Sequence, residues 1–419
     1  GALLAAANRD FVTGRLIADF VREQGGTPQS SVVGFGFKTS PVMAALANGT
    51  MGYACDIEPH HPEAILHPIA VMIPTALALA EPARASGRDF LTAIIVGCEV
   101  AARIIRSSPR LTSGGGWHTT GIVGNVAAAA GCAKLMKLPL DQVANAIGIS
   151  VSLGSGLPVN YGTMTKPLHC GNAARNGVLA ALLASKRFTA HAAALEGNNG
   201  FFRTFGRALP TDFAPFNDLG TRWDLEATGY SIKNYPSGGR GHTAIEAALI
   251  LRDKLGARVN EIAGIHCWVS PSSATRVNAN YPPDVEAAKF SAAYVIAYSL
   301  VHGTPTIKAF TPEALKDQRT RAMAKLVTAG PDPNLSDALG QNPARLKITL
   351  KDGQAFEHQR DYPTGSPKLP MTAKQVEEKF MDCATQTVSA DAARKLFAIV
   401  SAIDKQPSFD AFWPLIRKA

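Results

Sequence analysis

The chain has 419 residues, more than one hydrophobic core usually serves, so two domains are the first expectation. Hydrophobic residues at 46% and charged residues at 18% describe a packed globular protein and exclude a disordered one. The formal charge of +9 raises nucleic acid as a partner. The Lys and Arg are scattered, however, without a basic run or an aromatic-interleaved stripe, so nucleic acid is excluded and a field that attracts polycarboxylates is favoured.

The six cysteines (Cys55, Cys98, Cys132, Cys170, Cys267, Cys383) are widely spaced and mostly sit among Ala, Gly and Val, which points to free thiols in a reducing compartment. No apolar run has the length of a membrane span, and a cytoplasmic location is expected. The chain starts at Gly1 without an initiator Met, within what reads as a helix under way. A preceding segment is therefore expected.

From Pro41 to about Ala208, Ala-rich helical stretches alternate with Gly/Pro/His loops. Pro68 to Ala83 is continuously apolar and predicts a buried helix. Asp89 to Arg106 carries Phe90, Ile94, Ile95, Cys98 and Ala102 at helical spacing. Val123 to Leu135 is rich in small residues that let helices approach closely, and Leu140 to Val151 and Gly177 to Ser185 continue the pattern. After Tyr230 the pattern changes. Ile262 to Ser270 alternates with Ile265, Cys267 and Val269 on one face, as a strand does. Asp284 to Val301 reads as one helix, and Thr311 to Asn342 as irregular. Arg345 to Leu350 alternates again, and Asp352-Gly353 turns it into a second strand at Gln354 to Arg360. Helical spacing returns from Thr372.

These elements predict a mainly α protein: a large all-helical domain (1–230), a smaller α+β lid domain (231–370) and C-terminal helices (371–419) that return to the helical domain. Clefts between domains are common sites for small ligands.

Four loops bear histidines. The first runs from Asn48 through Asp56-Ile57-Glu58-Pro59-His60-His61 to His67-Pro68. Its acids and histidines suit a substrate-binding loop, a polar surface loop, or a metal site made by Asp56, Glu58, His60 and His67. The second, Ser113-Gly114-Gly115-Gly116-Trp117-His118-Thr119-Thr120-Gly121, lacks the Gly-Lys-Ser/Thr of a nucleotide loop and reads as a loop delivering His118 to a helix start, or as a plain connection. In the third, Lys166 precedes Pro167, and proline disfavours the helical region at the residue before it. Lys166 is thus expected on a bend, ahead of a helix opened by Gly171-Asn172-Ala173-Ala174, with Thr163, Thr165 and His169 nearby. Helix starts favour anions, which makes an anionic substrate the natural ligand. The fourth, Ser231 to His242, combines Lys233, Arg240, a Gly-rich bend and His242 where the pattern changes.

There is no nucleophile elbow, zinc signature or Walker loop. His, Lys, Asp and Tyr remain, the inventory of general acid–base catalysis. Removing a proton from carbon α to a carboxylate needs a base, and cations or N–H donors to hold the growing charge.

In this order the loops resemble the MmgE/PrpD family, whose members include 2-methylcitrate dehydratase, cis-aconitate decarboxylase and iminodisuccinate epimerase. The matching runs are Ala47-Asn48-Gly49…Asp56…His67-Pro68, Gly116-Trp117-His118-Thr119-Thr120-Gly121, and Thr165-Lys166-Pro167-Leu168-His169-Cys170-Gly171-Asn172-Ala173-Ala174. Lys233-Asn234-Tyr235-Pro236-Ser237…His242 and Ala288-Lys289-Phe290-Ser291-Ala292-Ala293-Tyr294 complete them.

The resemblance implies a helical domain plus an α+β lid, a homodimer, no metal or organic cofactor, and a small polycarboxylate substrate. It implies a site lined by Asp56, His60, His67, His118, Lys166, Lys233 and Tyr294, with His242 at a recurring family position. Within it, His118 is expected as base and Lys166 and Lys233 as carboxylate clamps. Asp56 would orient a histidine, Tyr294 or His67 would act as acid, and His60, Thr165, His169 and His242 would contact substrate.

Two departures bear on the reaction. The family's His-x-Leu-Asp-x-Asp/Asn-Asp-Thr loop here reads Tyr53-Ala54-Cys55-Asp56-Ile57-Glu58-Pro59-His60. The decarboxylase histidine five residues after the lysine of the fourth loop is Gly238. The sequence therefore leans to an epimerase of the iminodisuccinate type. A dehydratase, a decarboxylase and a non-catalytic polyanion binder are the alternatives.

Overall fold

The computed structural model describes all residues except 65, 109–110, 112–115, 208–210, 275–278, 339 and 418–419. Ser113, Gly114 and Gly115 of the glycine loop thus lie outside the described residues. The chain is mostly helical and divides into two units, Gly1–Tyr230 with Ala373–Ala419, and Ser231–Thr372.

The first unit begins with α1 (Ala2–Ala6), α2 (Val12–Gln24) and a short antiparallel hairpin of β1 (Ser30–Val32) and β2 (Phe37–Thr39). The longer helices follow: α3 (Pro41–Ala54), α4 (Pro68–Ala83), α5 (Gly87–Ser107), α6 (Thr119–Leu135), α7 (Leu140–Val151) and α8 (Thr165–Ser185). Short turns α9 (Phe201–Phe205) and α10 (Asp224–Ala227) close this part. Helix starts follow local chemistry. Ser40 caps α3 by accepting from Met43 N at 3.4 Å, and Ser86 caps α5 by accepting from Asp89 N at 3.1 Å.

One expectation is corrected here. Lys166 is not on a bend before the helix; α8 opens at Thr165 and Lys166 lies in its first turn. Proline breaks helices by removing an N–H donor, but first-turn N–H groups have no partner within the helix, so Pro167 is tolerated there.

Helix α8 is central because glycine lets α3 come against it. A Cβ on Gly171 would stand 2.2 Å from Thr50 Oγ1 and 2.4 Å from Leu46 O. One on Gly49 would stand 2.8 Å from Gly171 Cα. The buried alanines Ala127 to Ala129 of α6 cover the other side. The register of α8 between these helices decides where its first two turns point.

The second unit packs helices on one face of a four-stranded sheet. It comprises α11 (His242–Leu255), β3 (Ile262–Val269), α12 (Pro271–Ala274), α13 (Val285–Ala288), α14 (Ala292–His302), α15 (Gln318–Ala324), β4 (Val327–Pro331), β5 (Ala344–Leu350) and β6 (Ala355–Arg360). Strand order is β4-β3-β5-β6, with β3 and β4 parallel and the other pairs antiparallel. Ile265, Cys267 and Val269 share a core with Leu346, Ile348, Leu350, Leu251, Ile296 and Leu300. Side chains alternate across a strand, so only one face joins that core.

The single helix expected over 284–301 is two. Asp284 caps α13 and Ser291 caps α14, each accepting from an N–H three residues on, so the helix restarts. Within the stretch expected to be irregular, Val327–Pro331 is a strand on the sheet edge, where proline costs no ladder bond.

The chain then returns to the first unit with α16 (Ala373–Ala384), α17 (Ala390–Ser401) and α18 (Trp413–Ile416). From α16, Lys379 Nζ donates to Ile57 O at 2.9 Å and braces the loop after α3. Among the described residues, no helix is long and apolar enough to cross a membrane.

The α3–α8 approach generates a direct expectation. Gly171→Ala should destabilise the protein by about 1–3 kcal/mol, the usual cost of overpacking. Chemical denaturation should show a lowered midpoint; an unchanged midpoint would mean the helices have room to part.

Candidate active site

Three packed helices begin at one place. His67 is the residue before α4, His118 the residue before α6, and Lys166 and His169 occupy the first turns of α8. The C-terminal end of α3 supplies Tyr53 and, just beyond, Asp56, which adopts a left-handed backbone with φ 54°. Asp is among the few residues that tolerate that conformation. His118 is pinned by its own N–H, which donates to Gly156 O at 2.9 Å. A Cβ at 156 would lie 3.1 Å from His169 Nδ1 and 3.3 Å from His118 Cβ, so glycine leaves space for two imidazoles.

The side chains form a connected group. Lys166 Nζ pairs with Asp56 Oδ2 and sits 4.7 Å above the centre of the Tyr53 ring. The Tyr53 hydroxyl lies 3.3 Å from His118 Nε2, and His118 Nδ1 lies 2.9 Å from His169 Nδ1. Tyr161 meets His118 edge-on at 5.2 Å. His67 stands 4.9 Å from the Tyr53 ring and 5.7 Å from that of His60, with its Nδ1 2.8 Å from Glu58 Oε1. Lys166 is 8% exposed, Asp56 4% and His118 4%, so these are charges and dipoles largely out of water.

Burial shapes the protonation states. It holds His118 well below the ordinary imidazole value, reinforced by the positive charge of Lys166 and by His169 and His67, while Asp56 pulls the other way. Burial and then Lys166 lower His169 as well. Tyr53 is pushed well above the ordinary phenol value by burial, then by Glu58 and Asp56. The Cys170 thiol, also raised by burial, is held protonated and unreactive. At neutral pH the site thus offers neutral imidazoles beside an ammonium–carboxylate pair. A neutral imidazole accepts a proton, and an ammonium beside it stabilises developing negative charge.

Of the residues expected from sequence, the first unit brings together Asp56, His60, His67, His118, Lys166 and His169. Thr165 opens α8, and its N–H donates to Thr163 Oγ1 at 3.2 Å. Lys233, His242 and Tyr294 belong to the second unit. Lys233 is 3% exposed, and His242 begins α11 with Nε2 3.2 Å from Ser237 O. Tyr294 does not fit the acid expected of it, because its fully buried hydroxyl donates to Ala309 O within an apolar cluster. In the loop whose alternatives included a metal site, Asp56 faces Lys166 and Glu58 faces His67. Among the described residues, no three His, Cys, Asp or Glu are disposed to hold a metal ion.

Tyr53, Tyr161 and Gly156 were not singled out from the sequence. Tyr53 opens the run in which the sequence departs from the family's acidic loop, which is the signal that would have found it. Neighbouring His61 turns away to pair with Asp224 at 2.5 Å, joined there by Arg106 at 2.6 Å.

A mostly helical protein whose helix starts converge on buried imidazole, ammonium and carboxylate groups is equipped for acid–base chemistry on an anionic small molecule. The chain belongs to the MmgE/PrpD family: the MmgE/PrpD N-terminal domain matches residues 1–213 and the MmgE/PrpD C-terminal domain residues 235–405. It is similar to cis-aconitate decarboxylase of Aspergillus terreus, 28% identical over 401 residues, covering 89% of this chain and 81% of that protein. Similarity to cis-aconitate decarboxylase of Homo sapiens is 27% over 378 residues, 87% of this chain and 77% of that one. A 2-methylcitrate dehydratase-like protein of Aspergillus oryzae matches at 25% over 203 residues, 45% of this chain and 40% of that one.

Two expectations follow. Lys166→Met leaves Asp56 buried without its ammonium and should cost about 3–5 kcal/mol, most of it recovered in Lys166→Met/Asp56→Asn. Urea denaturation of the two variants checks this; equal losses would show that the pair is not the cause.

The second concerns pH. Above the ordinary imidazole value of 6.5, folded and unfolded His118 are both neutral and contribute no pH dependence. Below it, the unfolded chain binds a proton that the folded site refuses, so stability is lost as pH is lowered, by up to about 1.4 kcal/mol per unit from this residue. His118→Gln should flatten that slope between pH 6.5 and the lower folded value; an unchanged slope would remove the assignment.

Proposed function

We propose that this protein is a lyase that breaks a bond next to a carboxylate in a small di- or tricarboxylate, through an enolate-like intermediate. The observation that carries this reading is the gathering of three helix N-termini around Lys166, His118 and His67. Helix starts and an ammonium attract carboxylates, and the same donors stabilise negative charge as it develops on carbon. Lys166 binds a carboxylate in exchange with Asp56, and His118 moves the proton at the neighbouring carbon. His67, held by Glu58, is the second acid–base group. No step is assigned to Lys233, His242 or Tyr294.

Decarboxylation is the reaction favoured by the relatives that align along most of the chain. In that case the carbon–carboxylate bond breaks, carbon dioxide leaves, and the electron pair delocalises into the remaining conjugated carboxylate until a proton from the second acid–base group, His67, or from the Lys166 ammonium quenches it. Dehydration is the second reading and has its own support. A Cβ at Gly238 would stand 2.9 Å from the Phe290 ring, so the histidine that the family's decarboxylases are expected to carry there would have to displace Phe290. In dehydration His118 takes the α-proton and the β-hydroxyl leaves with a proton from an acid. The epimerase lean of the sequence has no counterpart among the relatives reported above and gives way to these lyase readings. The family resemblance also supports a homodimer, which sedimentation velocity would test.

Incubation with cis-aconitate, methylcitrate and related acids in heavy water, followed by proton NMR, decides between the outcomes. Carbon dioxide loss means decarboxylase, loss of water means hydro-lyase, and deuterium exchange alone restores the epimerase. Binding without exchange or turnover would leave a polyanion binder. On the substrate so identified, His118→Gln should reduce the rate about a hundredfold or more. A rate near that of the unaltered protein would exclude His118 from the chemistry.

A further inference from the structure

Both ring nitrogens of His118 are engaged by the protein itself, Nε2 by the Tyr53 hydroxyl at 3.3 Å and Nδ1 by His169 Nδ1 at 2.9 Å. Two imidazole nitrogens at that distance hold one proton between them; a hydrogen on each would collide. The polarity of the chain then depends on Tyr53. Its hydroxyl is buried with the ring, 1% exposed, and among the described residues the hydrogen-bonding group facing it is His118 Nε2. A phenol hydrogen left unbonded in such surroundings is unfavourable, so the hydroxyl donates to Nε2. His118 must then carry its hydrogen on Nδ1 and donate it to His169 Nδ1, which leaves the His169 hydrogen on Nε2.

We propose that Tyr53 is a positioning residue for His118: by donating to Nε2 it holds His118 as the Nδ1–H tautomer, with the basic lone pair on the side shared by Tyr53 and Lys166 and the hydrogen committed to His169. This rests on the reading of His118 as the proton-transferring group. The order has a chemical consequence. When His118 takes a proton at Nε2, its Nδ1–H still points at an acceptor, so the imidazolium is tolerated without rearranging His169. With the opposite order, a protonated His118 would set two N–H groups against each other across 2.9 Å.

The other charged or titratable groups around His118 are Lys166, His67 and Asp56, with Tyr161 against its ring. They stay in place in Tyr53→Phe, which removes one oxygen and retains the ring beneath Lys166.

The test is imidazole nitrogen-15 NMR on the full chain without substrate, the His118 signals being identified by their loss in His118→Gln. The expected result is a protonated Nδ1 and an unprotonated Nε2 in the unaltered protein, and a mixture of tautomers in Tyr53→Phe. His169→Gln, whose amide oxygen accepts the same hydrogen, should keep the Nδ1–H tautomer, whereas His169→Leu should lose it. In turnover, Tyr53→Phe should lower kcat about tenfold, the equivalent of one hydrogen bond, with KM nearly unchanged. The acid limb of the kcat–pH profile should move to higher pH, because losing a donor to Nε2 makes that nitrogen more basic. A proton found on Nε2 of the unaltered protein, or a tautomer and pH profile untouched by Tyr53→Phe, would overturn the proposal. The NMR result stands apart from turnover. A confirmed tautomer with no reaction on any acid would remove the lyase reading and keep the hydrogen-bond order; turnover with the opposite tautomer would do the reverse.

Discussion

The pairing of Lys166 with Asp56 is the interaction around which the helical unit's site is arranged. An ammonium and a carboxylate so far from water are tolerated only in partnership, because each alone carries a large desolvation penalty. Their meeting requires the end of α3 and the start of α8 to come together. Glycine at 49 and 171 makes that possible by letting the two helix backbones approach closely. The left-handed turn at Asp56 then aims the carboxylate across the gap, and Lys379 braces the following residue from α16. Helix packing, backbone turn and ion pair are therefore one constraint seen at three scales.

That constraint also sets the electrostatics of everything nearby. Exclusion of water and then the Lys166 charge hold His118 and His169 toward the neutral form, while burial, reinforced by Glu58 and Asp56, keeps Tyr53 a phenol. Neutral imidazoles in contact with a phenol form a directional hydrogen-bonded chain. Burial thus keeps His118 in the unprotonated form that a base requires. On the proposed reading, a carboxylate that competes with Asp56 for the ammonium would alter this balance and couple binding to the basicity of the histidines.

Much of the helical architecture was legible because the apolar runs are long and bounded by clear stop signals. Pro68 to Ala83 and Leu140 to Val151 match their helices to the residue. The misses have local causes. Lys166-Pro167 reads as a helix breaker by a rule that does not operate in a first turn. Asp284 to Val301 keeps helical spacing through a break that only the cap at Ser291 reveals. The edge strand Val327–Pro331 is hidden by its proline. For the site, residue types were readable at His67, His118 and Lys166, and helix starts at His67 and His118. Tyr53 and Tyr161 look like ordinary aromatic residues until their neighbours are known. Tyr294 shows the converse, a tyrosine in a matching motif whose hydroxyl is satisfied by a backbone carbonyl.

The sequence by itself determined the helical class, the family, and the set of histidines and lysines that acid–base chemistry would draw on. Composition, apolar spacing and motif order are all properties of the chain read along its length. Tertiary structure decided which of those groups meet. It set Asp56 against Lys166 and Glu58 against His67, joined Tyr53, His118 and His169 through hydrogen bonds, and turned His61 toward Asp224. The reason is physical: pairing energies depend on distances of a few ångströms between residues up to 163 positions apart, and such distances exist only once the helices have packed.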